Sequence, residues 1–216
     1  MSKECTELVF VLDRSGSMRG MESDTIGGFN AMLAKQRAIS GECRITTVLF
    51  NHQDELLHDR IDLNAVADMT AGEYFVGGTT ALLDALGHAI QRADKVQQHT
   101  AAGCRVDKVL FVIITDGMEN ASREFSLDRV RALVSQRREQ GWEFVFLGAN
   151  IDAAETAARY GMDRTRAATY EGDAAGTRLN YDMMSHTVAA FRESRQIPQE
   201  ALENIRRDRR SRQSET

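Results

Sequence analysis

Short apolar runs alternate with segments whose apolar residues recur at helical spacing. Residues 8–12 (Leu-Val-Phe-Val-Leu) are apolar throughout, the pattern of a strand covered on both faces. Asp24 then reads as a helix N-cap, with Ile26, Phe29, Met32 and Leu33 on one stripe toward Ile39. Residues 44–50 are β-branched and strand-like. Residues 55–63 alternate weakly and carry Asp59, Arg60 and Asp62, as an edge strand with one wet face would. After Gly77-Gly78-Thr79-Thr80, the residues Leu82, Leu83, Leu86, Ala89 and Ile90 form the stripe of an amphipathic helix. Residues 109–114 predict a central parallel strand ending in Thr115-Asp116-Gly117. Ser126 caps a helix with Leu127, Val130 and Val134 on one face and Gly141 as its stop. A buried strand follows at 143–147, then a short helix over 152–160 closing on Gly161. A short strand at 166–170 and a long helix over 177–193, with Leu179, Met184, Val188 and Phe191 inward, complete the regular part.

Such alternation predicts an α/β doubly wound, Rossmann-like, mostly parallel sheet with helices on both faces. Right-handed crossovers then gather the loops at the strands' carboxyl ends along one edge. The domain is expected to span residues 1–194. Residues 195–216 change in composition: the only proline, Pro198, opens a segment ending in an Arg-rich cluster. Leu202 and Ile205 are few apolar anchors, so this charged tail is expected to be partly helical or disordered, frayed or docked on a partner.

Composition narrows the function. The net charge of −5 over 216 residues argues against nucleic acid as the main partner. No apolar run approaches the roughly 20 residues that cross a bilayer. The first residues lack a signal-peptide layout, and Cys5, Cys43 and Cys104 form no C-x-x-C, so a cytoplasmic setting is expected. Cys5 and Cys43 are expected near one another at the lower edge of the sheet, as small half-buried residues. The five histidines share no ligand spacing and read as surface or packing residues.

The chemistry concentrates in Asp13-Arg14-Ser15-Gly16-Ser17, directly after the first strand. One carboxylate and two hydroxyls at alternate positions suit a hard cation such as Mg²⁺ or Ca²⁺, and suit zinc poorly. By themselves these five residues fit a capped strand-to-helix turn equally well. Thr79 and Asp116 lie on loops predicted to reach the same sheet edge, and their convergence favours the metal. Gly16, Gly77, Gly78 and Gly117 allow tight backbone there. Met18, Met21 and Met118 are either an apolar rim or packing. Glu119 reads as a solvated loop acid, Asn150 and Asp152 as capping residues.

Asp13-x-Ser15-x-Ser17, the Thr79 of Gly-Gly-Thr and the Asp116 of Thr-Asp-Gly, with their flanking residues, resemble the metal-ion-dependent adhesion site of von Willebrand factor type A domains. The likeness covers roughly residues 5–192 and extends to small stand-alone bacterial members sharing Thr-Asp-Gly-Met-Glu-Asn-Ala-Ser-Arg-Glu. It implies a six-stranded sheet of order 3-2-1-4-5-6 with one antiparallel edge strand. It further implies metal ligation by Ser15 and Ser17 directly, by Thr79 directly or through water, and by Asp13 and Asp116 mainly through water or hydrogen bonds to the hydroxyls. Mg²⁺ is the expected ion, with Mn²⁺ and Ca²⁺ also fitting. A hydroxyl-rich shell leaves the ion electrophilic, with a position open to an Asp or Glu of a partner protein. The expected function is therefore a metal-dependent protein-interaction module and not an enzyme. The rivals are a Mg²⁺-dependent hydrolase or phosphoryl-transfer enzyme, and a scaffold with a purely structural metal. Against the enzyme stand the absence of a second carboxylate in the first loop, of a phosphate-binding loop and of a Gly-x-Ser-x-Gly elbow.

Overall fold

The computed structural model describes residues 4–214. Its six strands are β1 (Cys5–Asp13), β2 (Glu42–Phe50), β3 (Asp54–Asp62), β4 (Lys108–Thr115), β5 (Glu143–Ala149) and β6 (Ala167–Tyr170). They form one sheet in the order β3-β2-β1-β4-β5-β6. Only the β2–β3 pair is antiparallel, at the edge where the charged alternation of residues 55–63 places it.

The central strands feed two cores because successive side chains point to opposite faces. Leu8, Phe10 and Leu12 of β1, with Leu110, Val112 and Ile114 of β4, face α1 (Glu22–Arg37) and α5 (Ala174–Ser194). Val9, Val11, Val109, Phe111 and Ile113 face α2 (Leu82–His99), α3 (Leu127–Glu139) and α4 (Ala153–Arg159). A strand covered on both sides must be apolar at every position, as residues 8–12 and 109–114 are. Ser126 caps α3 by accepting from the Arg129 amide, and Asp152 caps α4 by accepting from the Glu155 amide.

The structure departs from expectation at four places. Asp24 is not the cap of α1; the helix starts at Glu22 behind a 3-10 turn over Gly16–Met18. Asp24 sits in the first helical turn, where its charge suits the helix dipole, and pairs with Arg178 at 2.8 Å. The last long helix begins one turn earlier than predicted, because Asp173 accepts from the Gly176 amide at 2.7 Å. Cys5 and Cys43 lie on neighbouring strands but face opposite cores. Finally, the tail is partly helical, as one of the two expectations had it, but its helix α6 (Glu203–Ser214) is not frayed: buried Ile197, Leu202 and Ile205 hold it to the body. Counting apolar anchors missed the Arg206 guanidinium, which donates to the Thr165 and Ala167 carbonyls beside the edge strand β6. Among the described residues no helix is long and apolar enough to cross a membrane.

Candidate metal centre

Asp13 is the last residue of β1 and is 1 % exposed. Its Oδ1 accepts from the Ser15 amide at 2.7 Å, closing a local turn that brings the next two hydroxyls upward. Ser15 Oγ and Ser17 Oγ then stand 3.0 Å apart, the first buried and the second exposed. Asp13 Oδ2 accepts from the Thr115 hydroxyl at 2.7 Å, so the ends of β1 and β4 are bound together through the carboxylate. Beneath it the Tyr74 phenol donates to the Asp13 carbonyl.

The second loop docks on the first through backbone bonds as well. The Gly16 amide donates to the Gly78 carbonyl at 3.0 Å, and the Gly77 amide donates to the Arg14 carbonyl at 2.9 Å. Gly78 has φ +80, a conformation that glycine adopts without cost. The third loop is tied to the second at Thr80, whose amide donates to Asn120 Oδ1 and whose carbonyl accepts from the Asn120 and Ala121 amides.

Asp116, one residue past β4, is buried and accepts a short hydrogen bond from the Asn150 side-chain amide. Burial pushes both Asp13 and Asp116 above the usual carboxylate range. Hydrogen bonds from Thr115 and Ser15 pull Asp13 partly back. Asp116 rises to about 6, Asn150 opposing the shift and the neighbouring charge of Asp13 adding to it. Among the described residues, every polar contact these two acids make is to a neutral donor.

Of the expected ligands, Asp13, Ser15, Ser17 and Asp116 converge at this sheet edge. Thr79 is exposed and makes no side-chain hydrogen bond among the described residues. Its neighbour Thr80 is buried, and a Cβ on Gly117 would lie 3.3 Å from Ser17 Oγ and 3.6 Å from Thr80 Oγ1. The hydroxyls of Ser17 and Thr80 therefore flank the same point of the third loop. Among the described residues, no group of three His, Cys, Asp or Glu side chains is placed to hold a metal, so the donor set is hydroxyls backed by two carboxylates. Such a set fits a hard divalent cation.

Asn150 turns from the expected cap into a partner of Asp116; its φ of 54 marks the bend that aims it there. Glu119 is not solvated: Oε1 accepts from the Ala121 and Ser122 amides, and Oε2 from the Leu83 amide and the Ser122 hydroxyl. With Asp84, which accepts from three consecutive amides over Arg123, Glu124 and Phe125, it fastens the third loop to the start of α2. Met18 and Met21 are core residues, whereas Met118 is 75 % exposed. Phe75, on the second loop, is 56 % exposed and lies under the Arg14 guanidinium.

Residues 7–171 match the von Willebrand factor type A domain profile. No curated protein matches the chain. A von Willebrand factor type A protein from Catenulispora acidiphila superposes with a TM-score of 0.62 at 15% identity, covering 87% of this chain and 43% of that one. The pilus adhesin SpaC from Lactobacillus rhamnosus GG gives 0.62 at 11% identity, covering 88% and 30%. Proximal thread matrix protein 1 of the mussel byssus, with zinc in its metal-ion-dependent adhesion site, gives 0.57 at 14% identity, covering 87% and 46%. The chain spans less than half the length of each, and at these identities the likeness is one of fold.

Proposed function

The chain belongs to the von Willebrand factor type A family, and from that premise we propose that it is a protein-interaction module whose partner presents an Asp or Glu to a bound divalent cation. Ser15, Ser17 and Thr80 would hold the ion, with Asp13 and Asp116 behind them; Thr79, the residue singled out by the sequence motif, is set aside for its buried neighbour. Mg²⁺ is the ion we propose, since neutral hydroxyls and retained waters suit its coordination. Zinc in the mussel site makes metal selectivity a quantity to measure. When bound, the ion would offer an electrophilic position to an incoming carboxylate oxygen.

The observation that carries this reading is the buried pair Asp13 and Asp116, served among the described residues only by neutral donors beneath a cluster of hydroxyls. Phe75 and Met118 add exposed apolar surface on two of the three surrounding loops, as a contact surface requires. Binding rather than turnover is favoured by Glu119, whose oxygens are all occupied and which is therefore not free to act as a general base.

Capture of partners from lysate on the immobilised chain tests the proposal. The main partner should be lost with EDTA and with Asp13→Ala alike, and its retention under both conditions would overturn it. Calorimetric Mg²⁺ titration of Thr80→Val and Thr79→Val assigns the threonine. Thr80→Val should weaken the ion about tenfold, the value of one lost charge-assisted contact, and Thr79→Val should leave it unchanged.

A further inference from the structure

Beside the third loop the surface opens into a pocket of about 190 Å³. Leu83 of α2, Leu127 of α3 and Ile151 in the turn before α4 line it with apolar surface, and Met118 joins them one residue after Gly117 of the metal centre. Arg159 and Tyr160, at the end of α4, complete it.

Two of its polar side chains are unemployed. Arg159 is exposed and makes no ion pair and no hydrogen bond among the described residues. Tyr160 is 4 % exposed, yet its phenol has no hydrogen-bond partner among them. Burial lifts that phenol to about 12, so it remains a neutral O–H donor at any physiological pH. The pocket's acid, Glu119, is saturated by the Leu83, Ala121 and Ser122 donors and offers no free acceptor to a ligand. An apolar pocket edged by a guanidinium and a phenol O–H suits a large apolar side chain with a carboxylate beside it, because both groups donate to a carboxylate and the guanidinium brings the opposite charge.

We propose that this pocket is the second contact for the partner that meets the metal: an apolar side chain of the partner lies on Leu83, Leu127 and Ile151, and an adjacent carboxylate meets Arg159 and Tyr160. The first contact rests on the metal-dependent reading above. The second rests on the charge and the unpartnered donors of the pocket. Met118 links the two, since a chain segment with its acid at the metal passes over that side chain to reach Arg159. A flexible, exposed methionine adapts to such a ligand at little cost.

Peptides selected from a random display library on the Mg²⁺-loaded full chain are the probe. They should bind only with Mg²⁺ and should pair one acid with a separate apolar–acidic element. They should bind Arg159→Ala about tenfold or more weakly, with calorimetric Mg²⁺ affinity and melting temperature unchanged. Tyr160→Phe should lose less, and Arg159→Lys should recover part of the affinity. Because the exposed Arg159 side chain makes no ion pair and no hydrogen bond among the described residues, its substitution should leave the fold intact. A selection with no peptide distinguishing wild type from Arg159→Ala overturns the pocket and leaves the metal reading standing. Peptides that depend on Arg159 but ignore EDTA and Ser15→Ala support the pocket and overturn the metal reading. Self-association of the full chain that disappears with Arg159→Glu replaces the partner peptide with a second copy, and overturns the proposal in this form.

Discussion

Strand β1 carries a buried carboxylate near each end, and the chain treats them in opposite ways. Glu7 and Asp13 are each 1 % exposed. Glu7 is met by Arg60 from β3 at 2.7 Å, with the Thr46 hydroxyl alongside. Burial raises Glu7 and Arg60 pulls it back, so the protein supplies its own counter-charge. Asp13 receives a hydroxyl and two amides and, among the described residues, no cationic side chain. A buried charge needs a partner of opposite sign or it neutralises. One end of the strand is therefore complete within the chain, and the other is the end at which the proposed function places a cation.

The largest test of that contrast removes the internal partner. Arg60→Met strands Glu7 in the core and should cost about 3–5 kcal/mol in urea denaturation, with Mg²⁺ affinity unaltered. At the other end, Asp13→Asn removes a buried charge but sets an amide NH2 against one of the donors that Asp13 accepts from, so it should cost about 1–3 kcal/mol in EDTA. It should also abolish the stabilisation conferred by Mg²⁺. In the wild type that stabilisation should reach about 2.7 kcal/mol at a hundredfold excess over the dissociation constant, and thermal or urea unfolding with and without the ion measures it. Equal losses for Asp13→Asn in EDTA and in Mg²⁺ would mean that the site is structural.

The smallest effect concerns a third arrangement, in which the counter-charge can titrate. His88 of α2 bridges Asp54 at 2.8 Å and Glu124 at 3.1 Å. Burial lowers its pKa, but the hydrogen bonds and charges of the two acids outweigh burial and leave it above the ordinary 6.5. The folded state therefore holds the proton more tightly than the unfolded chain. The bridge contributes fully below about 6.5 and fades as pH rises through the folded pKa. His88→Gln should flatten this limb of the stability–pH curve, and an unchanged curve would show that the bridge contributes nothing.

Much of the fold was legible because its signals are local. Residues 8–12 and 109–114 are apolar at every position only because both sheet faces are covered, and Ser126 and Asp152 cap helices through bonds spanning three residues. The turn at Asp13 and Ser15 is equally local. Asp24 misled because an acid in the first turn of a helix and an acid at its cap look alike in sequence. The C-terminal segment misled because arginine docking on strand-edge carbonyls has no hydrophobic signature, and Glu119 because its four donors arrive from two different elements.

Sequence by itself determined the order of strands and helices, the doubly wound class and the loops that carry the hydroxyl and carboxylate donors, since these follow from periodicity and short-range hydrogen bonds. Tertiary structure alone decided that Thr80 of Gly77-Gly78-Thr79-Thr80 is buried beside Gly117 while Thr79 is exposed, because Asn120 accepts from the Thr80 amide across 40 residues of chain. It also decided that Glu7 meets Arg60 while Asp13 meets the neutral donors of Ser15, Thr115 and Asp116, because the two strand ends meet different neighbours only once the sheet has assembled.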